Sequence, residues 1–502
     1  MSTTEAESSQ RPPVHREPSL GLSLLPVISL VILLGGGYLA FDLPVEPLLI
    51  IAAVIAGLVA LHLGYSWQDI IDSIAAKIAK TMPAILILIV VGLLIGTWMA
   101  GGTIPMLIYY GLKLISPQYL ALVSLVVTAI VALCTGTSWG SAGTIGVAFM
   151  GVAMGMDANL AVVAGAVVAG AYFGDKLSPL SDTTNIASLA TGVNLFVHIR
   201  HLLWTTLPAF LVSAVVYLAF GLSHSVTGEI PEKVSIIMDT LTSGFHLTGW
   251  WVIPLILPVL MVLIGSAKKM PTVPVMLASG AVAALNAIFI QGISLKNTAE
   301  AAVNGFTVEM ISASGFDHAN VIEDVTKLVD RGGMNSMMST LLICFCAISF
   351  AGVISVTPAL NVIIERMLRG VKSTFGLIAA TVATGVSTIG ITSNAQVSLL
   401  IPGEMLRPAF IRKGLHPKNL SRTIEDSVTV IEPILPWTAA GAYMAGTLGV
   451  ETVKYLPWAV SNWIAIGFAL IWGATGIGIA KLTREEQAEF AAQDLTARHQ
   501  QL

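Results

Sequence analysis

Residues 174–185 read Gly-Asp-Lys-Leu-Ser-Pro-Leu-Ser-Asp-Thr-Thr-Asn and follow a run, Leu160 to Phe173, that carries no charge. Apolar residues resume at Ile186, and neither lysine nor arginine appears before Arg200. An ionisable side chain at membrane depth costs at least ~2.5–3.5 kcal/mol, which a purely structural span has no reason to bear three times. Pro179 has no backbone donor and frees a carbonyl one turn back. The stretch therefore reads as a helix broken inside the bilayer, with oxygen ligands exposed at the break. A polar loop at the membrane edge is the competing interpretation.

Composition sets the frame for that reading. Of 502 residues, 55% are apolar and 11% charged, against roughly 25% charged in soluble chains. The 25 Lys+Arg and 29 Asp+Glu leave a net charge of −4, so there is no basic surface for nucleic acid. Cys134, Cys344 and Cys346 all lie in apolar runs and imply no disulfide framework. Runs near the ~20 residues that cross a hydrocarbon core recur along the chain. They begin near 20–40 and 47–64 and continue through 82–100, 119–134, 158–173, 203–221, 249–266, 271–291, 336–356, 373–391, 427–447 and 458–480. The expected fold is an all-α polytopic membrane protein of about twelve transmembrane helices. Residues 1–19 form a disordered tail, 20–480 the membrane transporter domain and 481–502 a C-terminal tail. The positions of Lys and Arg place both tails in the cytoplasm. The stretches 68–81, 321–328 and the tail after 481 read as surface helices.

An internal repeat relates halves at about 82–191 and 336–447. Thr103 and Pro105 correspond to Thr357 and Pro358, Thr137-Ser138 to Thr392-Ser393, and Ser178-Pro179 to Glu432-Pro433, at offsets of 253 to 255. The charge rule runs the span 82–100 outward and 336–356 inward, so the repeat is inverted, with broken helices. Three further polar stretches interrupt apolar spans. Thr135, Thr137 and Ser138 lie among glycines at 135–144, and Thr392, Ser393 and Asn394 occupy the repeat mate of that stretch. Glu432 precedes Pro433 among apolar residues. These are candidate cavity ligands; helix–helix packing is the bland alternative for the hydroxyls. Glu425 and Asp426 read as solvated residues following Arg422. His198 and His201 read as flanking Arg200 in a cytoplasmic loop, and Gly170 and Gly174 as a helix-packing pair.

Carboxylate, hydroxyl and carbonyl oxygens suit hard cations. Desolvation favours the neutral acid and a bound cation the carboxylate, so a buried acid holds a proton or Na⁺ but not both. Asp175 and Asp182 are the candidate Na⁺ ligands, with Lys176 as the charge partner of Asp175. No cofactor and no ATP site are expected; the partners are Na⁺, H⁺ and the lipid bilayer.

Three stretches carry a family resemblance: Gly-Thr-Ser-Trp-Gly-Ser (136–141), the twelve residues 174–185, and Gly-Thr-Trp-Met-Ala-Gly-Gly-Thr-Ile-Pro (96–105). With them the chain resembles the NhaC family of bacterial sodium/proton antiporters over roughly 20–480. The resemblance implies a bacterial inner-membrane protein that expels Na⁺, with Li⁺ as an alternative ion, in exchange for H⁺. It marks Asp175, Ser178, Asp182, Thr183 and Asn185 as motif positions. The same family includes exchangers of malate and lactate coupled to H⁺ and Na⁺. A dicarboxylate wants a positive anchor, and Lys176 is the only obvious basic residue in the core, which favours cation exchange. A cation channel and an intramembrane enzyme are the readings from other classes.

Overall fold

The computed structural model of the protein describes residues 16–41, 43–223, 232–368, 371, 373–483 and 485–486. Most of the two expected tails, with Arg11, Asp42 and Arg484, lies outside the described residues. Within them the chain is helical, because in hydrocarbon only intrasegment hydrogen bonds satisfy the backbone. The helices are α1 (Leu20–Ile32), α2 (Val45–His62), α3 (Trp67–Ala100), α4 (Thr103–Leu114), α5 (Leu120–Thr135) and α6 (Ser138–Ser141). There follow α7 (Val147–Gly155), α8 (Leu160–Leu177), α9 (Asp182–Thr191), α10 (Leu195–Ser223), α11 (Glu232–Gly244) and α12 (Val252–Ala267). Next come α13 (Thr272–Phe289), α14 (Leu295–Asn304), α15 (Glu323–Val329), α16 (Met338–Ser355), α17 (Ala359–Leu368) and α18 (Thr374–Thr392). The last are α19 (Ala395–Arg412), α20 (Lys418–Ser427), α21 (Ala439–Leu448), α22 (Thr452–Tyr455) and α23 (Val460–Thr475). A π turn, Ala142–Gly146, joins α6 to α7.

Ten of the described helices are long and apolar enough to cross a membrane, or eleven if the pair that bends by 54° around Ala459 counts as one span. The sequence had indicated about twelve. The expected span at 427–447 is not one helix: α20 ends at Ser427, and α21 begins only at Ala439. Pro433 and Pro436 lie in the gap, where each removes a helical donor. The surface helix expected at 68–81 is the start of the 34-residue α3, since no glycine or cap separates it from the apolar run. α15 covers the expected surface helix near 321–328.

The chain forms two compact units: residues 1–80 with 346–369, and residues 81–345 with 370–502. In the first, α1 packs on α2 and α17. The Ser73 hydroxyl there donates to the Gly352 carbonyl at 2.8 Å. In the second, α5 and α8 pack backbone to backbone. A Cβ on Gly170 would lie 2.3 Å from the Leu125 carbonyl oxygen, and one on Gly174 2.1 Å from that of Ala129. The glycine pair is thus a packing device, as small residues four apart commonly are in membranes.

One backbone design occurs twice in this second unit, 257 residues apart. α5 ends at Thr135, Gly136 turns left-handed (φ 67°) and Thr137 caps the next helix. α18 ends at Thr392, Ser393 turns left-handed (φ 50°) and Asn394 caps the next. Helix then runs to Gly155 in one copy and Arg412 in the other. The ten-residue α9 and α21 follow, with Ser181 and Thr438 at their N-cap positions, and are stopped by left-handed Gly192 and Gly449. The sequence register is accordingly corrected by two to four residues. Thr137-Ser138 matches Asn394-Ala395, and Pro179 matches Pro436. The short polar words had drifted, whereas caps and turns, which need particular φ/ψ, had not.

Candidate functional site

α8 stops at Leu177 because Pro179 follows, and Ser178 takes the extended backbone (ψ 129°) that precedes a proline. The released oxygens are taken up locally. The Asn185 amide donates to the Pro179 and Ser181 carbonyls at 3.1 and 2.6 Å, and the Thr184 hydroxyl to the Lys176 carbonyl at 3.0 Å. In the second copy, Tyr455 donates to the Pro433 carbonyl and Thr438 to that of Glu432. Asn462 donates to the Val430 carbonyl at 2.8 Å. Both breaks are therefore held open by side chains, as irregular backbone in a bilayer requires.

Two buried acids sit at these breaks. The Asp175 carboxyl faces the Ser138 amide and the Ser138 and Ser181 hydroxyls. The Glu432 carboxyl faces the Ala395 amide. Ser138 and Ala395 are the first residues of helices that begin at equivalent points, and there the unsatisfied amides of a helix start carry partial positive charge. Tyr172, one turn before Asp175, is buried as well. A void of about 10 Å³ beside Tyr172, Lys176 and Asn462 has room for one water.

The remaining expected residues fall around this pair. Ser178 is buried, and its hydroxyl accepts from the Leu180 amide at 3.3 Å. Thr183 is half-buried and pairs with the Ser181 hydroxyl at 3.1 Å. Asp182 differs from the expectation of a buried ligand: it is exposed at the first position of α9, where a negative side chain suits the helix start. Asn185 is exposed as the clasp described above. Thr135 and Ser141 hydroxyls meet at 3.4 Å, and their counterparts Thr392 and Ser398 at 2.6 Å. Thr137 and Asn394 are caps, accepting from Gly140 and Val397 amides at 3.1 and 3.0 Å. The Ser393 hydroxyl accepts from the Ala439 amide at 3.1 Å and so ties α21 to the start of α19.

Lys176 pairs with Asp426, not with Asp175; adjacent helical residues point about 100° apart. Glu425 and Asp426 are fully buried rather than solvated. One Glu425 oxygen meets His198 Nε2 at 2.6 Å, and the other shares the Thr184 hydroxyl with the Lys176 carbonyl, at 2.9 Å. His198 and His201 belong to α10 and are buried, so the cytoplasmic loop expected there is helix. Arg422 is buried too and donates to the Gly478 carbonyl at 2.8 Å, so Lys176 is not the only basic residue in the core. Sequence reading missed His198, Arg422, Glu425, Asp426 and Tyr172. One signal was present: four charged residues among the ten of α20, Lys418, Arg422, Glu425 and Asp426, sit next to an apolar, proline-bearing run.

Comparison with known proteins places this architecture. The profile of the Na⁺/H⁺ antiporter family matches residues 170–477. The chain is 60% identical over 470 residues to an uncharacterized Na(+)/H(+) antiporter of Haemophilus influenzae, covering 93% of this chain and 98% of that one. It is 36% identical to the Na(+)/H(+) antiporter NhaC of Alkalihalophilus pseudofirmus, over 88% and 93% of the two chains. It is 34% identical to the malate-2H(+)/Na(+)-lactate antiporter of Bacillus subtilis, over 91% and 93%. The protein is a multi-pass membrane protein and belongs to the Na⁺/H⁺ antiporter family of secondary transporters.

Proposed function

We propose that this protein exchanges cytoplasmic Na⁺, or Li⁺, for external H⁺ across the bacterial inner membrane, and that Asp175 and Glu432 are the groups at which the two ions displace one another. The observation that carries this reading is the equivalence of the two acids. Each is buried at a break and faces the first amide of a helix that begins where the preceding one stops. A bare carboxylate there is supported by amide dipoles. Desolvation favours its protonated form, and a cation on its oxygens favours the ionised form. Proton and metal ion thus exclude each other at one place, and alternating exposure of that place yields obligatory exchange without a separate coupling device. Hydroxyls of Ser138 and Ser181 supply neutral oxygens beside Asp175, which suit a hard cation. The loops rich in Lys and Arg put both termini in the cytoplasm and invert one half relative to the other.

Exchange of an organic acid is the second reading, supported by the similarity to the malate–lactate antiporter. Lys176, the basic residue beside Asp175, is committed to Asp426 and so does not anchor an organic anion at that acid, which favours cation exchange there. Everted vesicles with a pH-sensitive dye separate the two. Collapse of a preformed pH gradient on addition of NaCl is the expected result. A response to malate or lactate with none to NaCl would overturn it.

A further inference from the structure

The segment around Arg331, in a stretch of mixed charge that the exchange reaction does not use, builds a second site. Its backbone is clamped. Arg331 and Phe306 exchange both backbone hydrogen bonds, at 3.0 and 3.1 Å. Gly332 and Gly333 (φ 83° each) press on α3, where a Cβ on Gly332 would lie 2.3 Å from the Gly96 nitrogen and the Gly333 amide donates to the Gly92 carbonyl at 2.7 Å. The half-buried Arg331 side chain so placed borders a cavity of about 470 Å³, within the ~300–1,000 Å³ range of small-molecule sites.

The guanidinium has no carboxylate partner and no hydrogen bond among the described residues. It lies against Gly449 at the end of α21, where helix carbonyls favour a cation. That accounts for its position but not for its unused donors or for the space in front of them. Thr447, on the same wall, is buried, with its hydroxyl beside Tyr443. Asp330 stands exposed on the rim with one oxygen held by the Val308 amide at 2.8 Å. Ile95, Val147, Phe306 and Met337 supply apolar wall.

We propose that this cavity binds the carboxylate group of a small organic acid, gripped by the Arg331 fork with the hydrocarbon part against the apolar wall. A planar fork matches a carboxylate, and the apolar lining favours an organic acid over a bare inorganic anion. The site is separate from Asp175 and Glu432, so it stands whether or not the exchange reading does. The test is calorimetric titration of the purified full-length protein with the N-methylglucamine salts of lactate and malate, and with chloride as control. The expected result is saturable binding of a carboxylate, weakened about tenfold or more in Arg331→Gln, weakened less in Arg331→Lys, and unchanged in Asp175→Asn. Absence of saturable binding, binding unaltered in Arg331→Gln, or chloride binding as tight as either carboxylate would each overturn the proposal. Should Arg331→Gln not fold, Arg331→Lys provides the second arm, with weaker binding expected and unaltered binding counting against the site.

Discussion

Asp175 and Glu432 occupy the same place in two copies of one backbone design, 257 residues apart, each facing the amide that opens the helix of its own copy. The equivalence is of position, not of surroundings. Asp175 has two serine hydroxyls at hand and Lys176 beside it, whereas Glu432 has Pro433 in place of the lysine. The two acids are thus alike in support from helix dipoles and unlike in neutral neighbours.

Asp175→Asn is expected to abolish Na⁺-dependent proton movement in everted vesicles while leaving normal amounts of protein in the membrane. The amide keeps the shape but removes the charge for which, in the proposed exchange, the two ions compete. Glu432→Gln is expected to shift the pH dependence of exchange. Full activity in Asp175→Asn would remove the carboxylate from the mechanism.

Asp182→Asn separates motif membership from geometry. The motif alone makes this residue a ligand, but its exposure at the first turn of α9 predicts exchange within about twofold of the wild type and a loss of only ~0.3–1 kcal/mol of helix-end electrostatics. The same vesicle assay decides, and complete loss would show that α9 moves to bring Asp182 onto the ion.

Asp426→Asn leaves the Lys176 ammonium buried without its counter-charge. Breaking a buried pair from one side costs about 3–5 kcal/mol, so the detergent-solubilised protein should lose most of its thermal stability. The double change Lys176→Met with Asp426→Leu should recover it, because neither charge is then stranded. Failure of the double variant to recover would assign the pair a role other than mutual neutralisation.

Gly174→Val is expected to prevent stable folding. Even a Cβ there would sit 2.1 Å from the Ala129 carbonyl and 2.6 Å from the Leu133 amide nitrogen, and overpacking costs about 1–3 kcal/mol or more. Size-exclusion chromatography of the solubilised protein should show aggregation. Gly35→Val, where nothing lies within 4 Å, serves as the tolerated control.

Much of this was legible residue by residue. A hydropathic run ending in Asp175-Lys176 with Pro179 just beyond identifies a broken membrane helix, since burial cost and the missing proline donor are local quantities. Glu432 among apolar residues before Pro433 was readable in the same way. α20 was not: as a ten-residue segment it looks like a solvated surface helix, yet every residue from Asn419 to Ser427 is buried. The neighbours that make this tolerable come from far along the chain.

The amino-acid order by itself determined that this protein spans a membrane many times, that helices break near Pro179 and Pro433, and that Asp175 and Glu432 lie deep, because those follow from desolvation cost and backbone chemistry within a few residues. Only the tertiary structure decided that Lys176 meets Asp426, that Glu425 meets His198, that Asp182 faces outward, and that Asp175 and Glu432 are counterparts. Charge pairing and burial are set by packing between helices more than two hundred residues apart, and nothing local to either partner records which of the available opposite charges it will face.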